Sequence, residues 1–197
     1  MSGHELGSDA ASERDTAVAV PTAVIVMGVS GCGKSTIAEL LAARLGGHFR
    51  DGDEFHPKAN IDKMSAGIPL TDADREPWLE NVRDYAAGAA REHGLAVIAC
   101  SALKRRYRET LRGAGGRVFF VYLEGSYDLI ASRMGERKGH FMPAKMLDSQ
   151  FEALEPPADE PRVVTVDIAP DPDTIADAAA AALLAHEGFV TPATGAS

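Results

Sequence analysis

The run Gly28-Val29-Ser30-Gly31-Cys32-Gly33-Lys34-Ser35-Thr36 constrains this chain more than any other stretch. It has the form G-x-x-x-x-G-K-[ST], and its flanks are as informative as the run itself. Thr22 to Met27 is apolar and rich in β-branched residues, which reads as a buried strand. Ile37 to Leu45 places apolar residues at helical spacing. A strand, a glycine-rich turn and a helix N-terminus together make an anion site, because backbone N–H groups converge there and the helix dipole favours negative charge. Gly28, Gly31 and Gly33 let the chain turn tightly around a phosphate. Lys34 has the reach for β- and γ-phosphates, and the Ser35 hydroxyl suits Mg²⁺. A glycine-rich turn that binds nothing is the alternative, and the strand–turn–helix context argues against it. The candidate contacts to a triphosphate-like ligand in this loop are Gly28, Ser30, Gly31, Cys32, Gly33, Lys34, Ser35 and Thr36.

A length of 197 residues is enough for one domain with a sizeable core. The formal net charge of -9 argues against nucleic acid as the main partner, since binding a polyanion needs a basic footprint. It leaves room for a small anionic substrate, which needs only a few local cations. There are two cysteines. Cys32 lies in the phosphate loop, and a disulfide to Cys100 would tie that loop down, so reduced thiols and a cytoplasmic setting are expected. No stretch is long and apolar enough for a membrane span, and the acidic N-terminus is not a signal peptide.

Residues 1–20 read as a flexible N-terminal tail, 21–187 as a single domain and 188–197 as a flexible C-terminal tail. Within the domain, strands are expected at 22–27, 48–50, 95–100, 117–123 and 163–166. Helices are expected at 34–45, 57–65, from 72 or 74 to 93, and at 104–112, 126–134, 143–154 and 173–186. Thr71 and Asp74 have the spacing of a capping box, while Pro77 leaves the helix start uncertain. Alternating strands and helices predict an α/β fold with a parallel sheet covered on both faces.

In such sheets ligands bind beyond the carboxyl ends of the strands. The second strand ends in Asp51-Gly52-Asp53, followed by His56. Asp-Gly alone is a common turn. Beside a phosphate loop, two carboxylates can divide the labour: Asp51, nearer the strand, suits the metal together with Ser35, and Asp53 suits the proton of an attacking hydroxyl. His56 either meets substrate or caps the short helix. Lys63 and Arg75 offer positive charge to an anionic acceptor, with a solvated helix face as the alternative. Trp78 reads as core. The third strand ends in Cys100-Ser101 rather than an aspartate, and Lys104 beyond it faces the acceptor or the transferring group, with Arg105 and Arg106 facing solvent. Arg133, Arg137, Lys138 and His140, interrupted by Gly135 and Gly139, suit a lid at about 134–145 that excludes water and brings positive charge to the γ-phosphate. Lys34, Asp53 and Arg137 are thus the candidate catalytic residues.

The segments Asp51-Gly52-Asp53-Glu54-Phe55-His56-Pro57 and Asp72-Ala73-Asp74-Arg75-Glu76-Pro77-Trp78-Leu79 resemble those of the gluconokinase family, shikimate-kinase-like small-molecule kinases with a phosphate loop. Cys100-Ser101-Ala102-Leu103-Lys104, Arg137-Lys138-Gly139-His140-Phe141 and Gln150-Phe151-Glu152-Ala153-Leu154-Glu155 extend the resemblance over about 22–168. It implies a three-layer P-loop kinase fold with a small helical lid, transfer of the ATP γ-phosphate to the 6-hydroxyl of D-gluconate, Mg²⁺, and commonly a homodimer. It places the sugar acid near Asp53, His56, Lys63, Arg75, Lys104 and His140, and matches Arg133 to an arginine that stacks on adenine. Shikimate kinases and nucleotide kinases use a similar scaffold and differ in the acceptor segment 51–79. A GTPase switch is disfavoured because N-K-x-D and D-x-x-G motifs are missing, whereas an ATP-dependent regulatory module stays open.

Overall fold

A computed structural model describes residues 20–136 and 144–192. Five parallel strands form one sheet: β1 (Thr22–Met27), β2 (His48–Asp51), β3 (Leu95–Ala99), β4 (Arg117–Glu124) and β5 (Val163–Asp167), in the spatial order β2-β3-β1-β4-β5. The helices are α1 (Lys34–Leu45), α2 (Lys58–Ser65), α3 (Asp72–His93), α4 (Arg105–Arg112), α5 (Tyr127–Glu136), α6 (Ala144–Ala153) and α7 (Pro172–Ala185). The expected elements are all present, with ends moved by one or two residues. The expectation lacked a 3-10 turn at Gly52–Phe55, directly after β2.

Both faces of the sheet are covered, and β1 shows why its sequence is continuously apolar. Val24 and Val26 point to a core shared with Leu41 of α1 and Leu183 of α7. Ala23, Ile25 and Met27 point to the opposite core, with Trp78 and Val82 of α3. A central parallel strand buried on both sides needs apolar residues at every position rather than an alternation. Trp78 is 2% exposed, as its expected place in the core requires. The chain after α7 is less tail-like than the sequence suggested. Phe189 is buried and meets Phe119 edge-on at 5.1 Å, and the carbonyl of Gly188 accepts from Arg117 at 2.9 Å. One aromatic side chain is enough to draw the segment onto the core.

Two features hold the ligand end of the sheet in shape. The capping box is formed: the Asp74 N–H donates to Thr71 Oγ1 at 3.2 Å, and the Thr71 N–H donates to Asp74 Oδ2 at 2.9 Å. This sets the start of α3 at Asp72, and the helix runs on through Pro77. The second feature is Arg108, whose side chain is 1% exposed. Its guanidinium donates to the carbonyls of Ala102, Leu103 and Glu155 at 2.9–3.0 Å and pairs with Glu160 at 2.5 Å. Ala102 holds a left-handed φ of 43°, which is unfavourable for a residue with a side chain. Arg108 therefore fastens the strained turn that leads to Lys104.

Removing one partner of a buried ion pair leaves the other unpaired, so Arg108→Ala is expected to cost about 3–5 kcal/mol in urea unfolding. Glu160 is held below the ordinary range of glutamates, first by its hydrogen bond to Arg108, with burial opposing. A lowered folded-state value means that this stabilisation is complete above the ordinary glutamate range, near pH ~4.3, and fades as pH falls through the lower folded value. Glu160→Gln is expected to flatten the acid limb of stability against pH; an unchanged limb would assign that limb to other groups.

Candidate active site

The phosphate loop bridges the end of β1 and the start of α1 and touches two further helices. Gly31 has φ 83°, and a Cβ at that position would lie 2.6 Å from Met134 Cγ of α5. Only glycine allows both the turn and that approach. The Ser30 N–H donates to Gln150 Oε1 of α6 at 2.5 Å. Lys34 folds back over the loop, its Nζ donating to the Val29 carbonyl at 3.0 Å. Cys32 and Cys100 are free and buried, and burial raises both thiols, Cys100 to about 12, so both stay protonated. Beside the loop opens a cavity of about 370 Å³, bordered by Gly31, Gly33 and Thr36, by Arg133 of α5, and by Asp171 and Pro172 at the start of α7. Arg133 is anchored at its rim by donating to the Ala169 carbonyl at 3.1 Å.

The end of β2 meets this loop. Asp51 Oδ2 accepts from the Ser35 hydroxyl at 2.6 Å, and its Oδ1 accepts from the Asp53 N–H at 3.0 Å, capping the 3-10 turn. A hydroxyl and a carboxylate side by side are hard oxygen donors of the kind Mg²⁺ takes. No group of three or more His, Cys, Asp or Glu able to hold a metal gathers among the described residues. An ion at Ser35 and Asp51 would therefore draw its other ligands from phosphates and water, as Mg²⁺ in phosphoryl-transfer sites does. These two residues fit the ion.

Asp53 and His56 lie in the segment expected to meet the acceptor. The Asp53 side chain is 82% exposed, whereas that of His56 is 6% exposed, with 3.9 Å between His56 Nε2 and Asp53 Oδ1. The His56 ring stacks on Trp78, with centroids 4.2 Å apart and planes 14° apart, and Trp78 Nε1 donates to the Gly52 carbonyl at 2.8 Å. His56 is not a side-chain cap of α2, whose N-cap is Pro57. Burial lowers its pKa most, Arg75 lowers it further, and Asp53 opposes them.

The basic residues of the expected acceptor side are held differently. Lys63 pairs with Asp74 at 2.6 Å, and that contact, with the Thr71 bonds, draws the Asp74 carboxyl down to about 2. Lys104 donates to both Asp72 oxygens at 3.0 and 3.1 Å. Asp72 also takes Tyr107 and Arg106, so Arg106, although half-exposed, is not simply facing solvent. Arg75 donates to the Leu70 carbonyl at 3.2 Å and makes no ion pair among the described residues. Arg137, Lys138 and His140, with most of the expected lid, lie outside the described residues.

Sequence reasoning passed over Asn60, Gln150 and Asp72 as site residues, beyond their place in family-like segments. For Asn60 a signal existed: it lies four residues after His56, a spacing that brings side chains together at a helix start. Gln150 and Asp72 had none, because their contacts join elements far apart in the chain.

Comparison with known proteins agrees with this architecture. Residues 30–177 match the family described as shikimate kinase. A gluconokinase from Gluconobacter oxydans is 49% identical over 155 residues, covering 79% of this chain and 87% of that protein. A thermosensitive gluconokinase from Escherichia coli K12 is 48% identical over 162 residues, covering 82% and 87%. Among solved structures, a gluconokinase from Sinorhizobium meliloti 1021 superposes with a TM-score of 0.75 at 46% identity, covering 82% of this chain and 91% of that one. A phosphate loop set in a parallel sheet of order β2-β3-β1-β4-β5, joined to near half identity over most of both chains, places the protein: it belongs to the gluconokinase family of shikimate-kinase-like P-loop kinases.

Proposed function

We propose that the enzyme transfers the γ-phosphate of ATP to the 6-hydroxyl of D-gluconate, giving 6-phospho-D-gluconate. The observation that carries this reading is the 2.6 Å bond between Ser35 and Asp51, which joins the phosphate loop to the segment bearing Asp53 and His56. In this reading donor and acceptor groups thereby lie side by side.

Phosphoryl transfer depends mainly on positioning and on neutralising charge. In this reading the backbone N–H groups of Gly31, Gly33, Lys34, Ser35 and Thr36 hold the nucleotide phosphates. Lys34 leaves the Val29 carbonyl for the β- and γ-oxygens. Arg133 stacks on adenine at the rim of the cavity. Mg²⁺ held at Ser35 and Asp51 would neutralise phosphate charge. Asp53, exposed beside the loop, accepts the proton of the attacking hydroxyl. Arg75, without a carboxylate partner among the described residues, forks onto the carboxylate of the sugar acid. Lys63 and Lys104, already paired with Asp74 and Asp72, shape the polar wall, with His56 donating to a hydroxyl. The segment at about 134–145 acts as the lid, supplying Arg137 to the γ-phosphate and His140 to the sugar acid while shutting out water. We extend the reading to a cytoplasmic homodimer, with the domain spanning 21–187 and the Gly188–Phe189 segment packed onto it; no helix among the described residues is long and apolar enough to cross a membrane.

An acceptor panel read by coupled ADP release tests the substrate. Turnover is expected with D-gluconate, and none with 6-deoxy-gluconate, shikimate or a nucleoside monophosphate. Activity on either of the last two without gluconate would overturn the reading. Lys34→Ala is expected to lower kcat about 10²–10³-fold, the cost of losing one preorganised donor to a developing charge, with an unchanged unfolding midpoint. Asp53→Asn should lower kcat about 10²–10⁴-fold, the range of a lost general base, and keep ATP affinity. Lost ATP binding in that variant would instead assign Asp53 to the nucleotide or metal.

A further inference from the structure

Asn60 is 3% exposed, although asparagine is usually a surface residue. Its side chain links the first turn of α3 to the His56 ring. Nδ2 lies 2.8 Å from the backbone carbonyl of Asp74 and 3.3 Å from Nδ1 of His56. A carbonyl only accepts, so the amide must turn its NH₂ group toward Asp74. The same NH₂ then presents its second hydrogen to His56, and Nδ1 must accept it. A neutral imidazole with an accepting Nδ1 carries its proton on Nε2. Turning the ring over would set a carbon against that buried N–H and leave the donor without a partner. The Trp78 stack holds the ring plane, and Trp78 is itself pinned to Gly52.

We infer that Asn60 is a positioning residue that locks His56 as the Nε2–H tautomer, making His56 a hydrogen-bond donor toward Asp53 and the acceptor rather than a second base. The inference rests on the reading of Asp53 and His56 as the acceptor side of a kinase site. The charged groups facing the ring agree with it. Burial and Arg75 of α3 both favour the neutral ring, and Asp53 of the 3-10 turn is the one charge opposing them. It also divides the chemistry. Asp53 alone is left to take the proton from the attacking hydroxyl, and the Nε2–H of His56 either steadies that carboxylate or holds a neighbouring substrate hydroxyl.

The test begins with the wild-type protein labelled with ¹⁵N. Two-bond ¹H–¹⁵N correlation at neutral pH is expected to show His56 with an unprotonated Nδ1 and a protonated Nε2, the signal being assigned by its loss in His56→Gln. A protonated Nδ1 in the wild type would overturn the proposal. Asn60→Ala frees Nδ1, so the single tautomer is lost, the ring titrates at higher pH, and kcat/KM for the acceptor falls about tenfold, the ordinary worth of one hydrogen bond, with the KM for ATP unchanged. Asn60→Asp keeps the size but can only accept, which moves the proton to Nδ1 and lowers kcat/KM at least as far. Wild-type tautomer and kcat/KM in the Asp variant would overturn the proposal. Should neither variant fold, the wild-type spectrum decides alone. Should the acceptor panel name a different substrate, the tautomer is still measured and the kinetic arm is run on that substrate, so the two readings fail separately.

Discussion

A hydroxyl from the first turn of α1 and a carboxylate from the end of β2 meet across the end of β3, and the layout of the site follows from that meeting. The strand order puts β3 between β2 and β1, so the two groups belong to elements that are not neighbours in the sheet. They reach each other because the chain leaves β2 close over β3: a Cβ on Gly52 would lie 2.5 Å from the Ala99 carbonyl. β3 is followed by small residues, Cys100 and Ser101, with no acid to compete for the same place. The carboxylate beside the phosphate loop therefore comes from the outer strand, and the segment that follows it, with Asp53 and His56, is carried close to that loop.

The proposed acceptor wall is organised by the first turn of α3. Acidic residues are favoured at a helix N-terminus, where the dipole is positive, and Asp72 and Asp74 both sit there. Each gathers cations from another part of the chain: Asp74 takes Lys63 from α2, and Asp72 takes Lys104 from the β3–α4 connection and Arg106 from the first turn of α4. Half-exposed pairs of this kind contribute only ~0–1 kcal/mol each. Their value here is geometric, since separate segments are held together at the start of α3.

The fold was legible because its signals are local. The apolar run of β1, the glycines of the loop, the Thr71–Asp74 spacing and the alternation of elements each follow from the residues on the spot. The donor half of the site was legible for the same reason, as the phosphate loop is a contiguous run. The acceptor half was legible only in its residue types. Lys63, Arg75 and Lys104 look alike as cations, and only the structure separates two that are paired from one that is not. The burial of Arg108 was hidden too: its partner Glu160 lies 52 residues away, and an arginine in a charged helix ordinarily reads as solvated. The 3-10 turn went unseen because its four residues are too few to show a period.

The fastening of the β3–α4 connection by Arg108 changes what kind of loop this is. Connections without regular structure normally open on their own, well before the body of the protein unfolds. Here the carbonyls of Ala102 and Leu103 are held by a guanidinium that no water reaches. The connection cannot fray without breaking a buried ion pair that also ties down Glu155 and Glu160. Such a segment is irregular in shape, yet its carbonyls are tied into the buried interior of the protein.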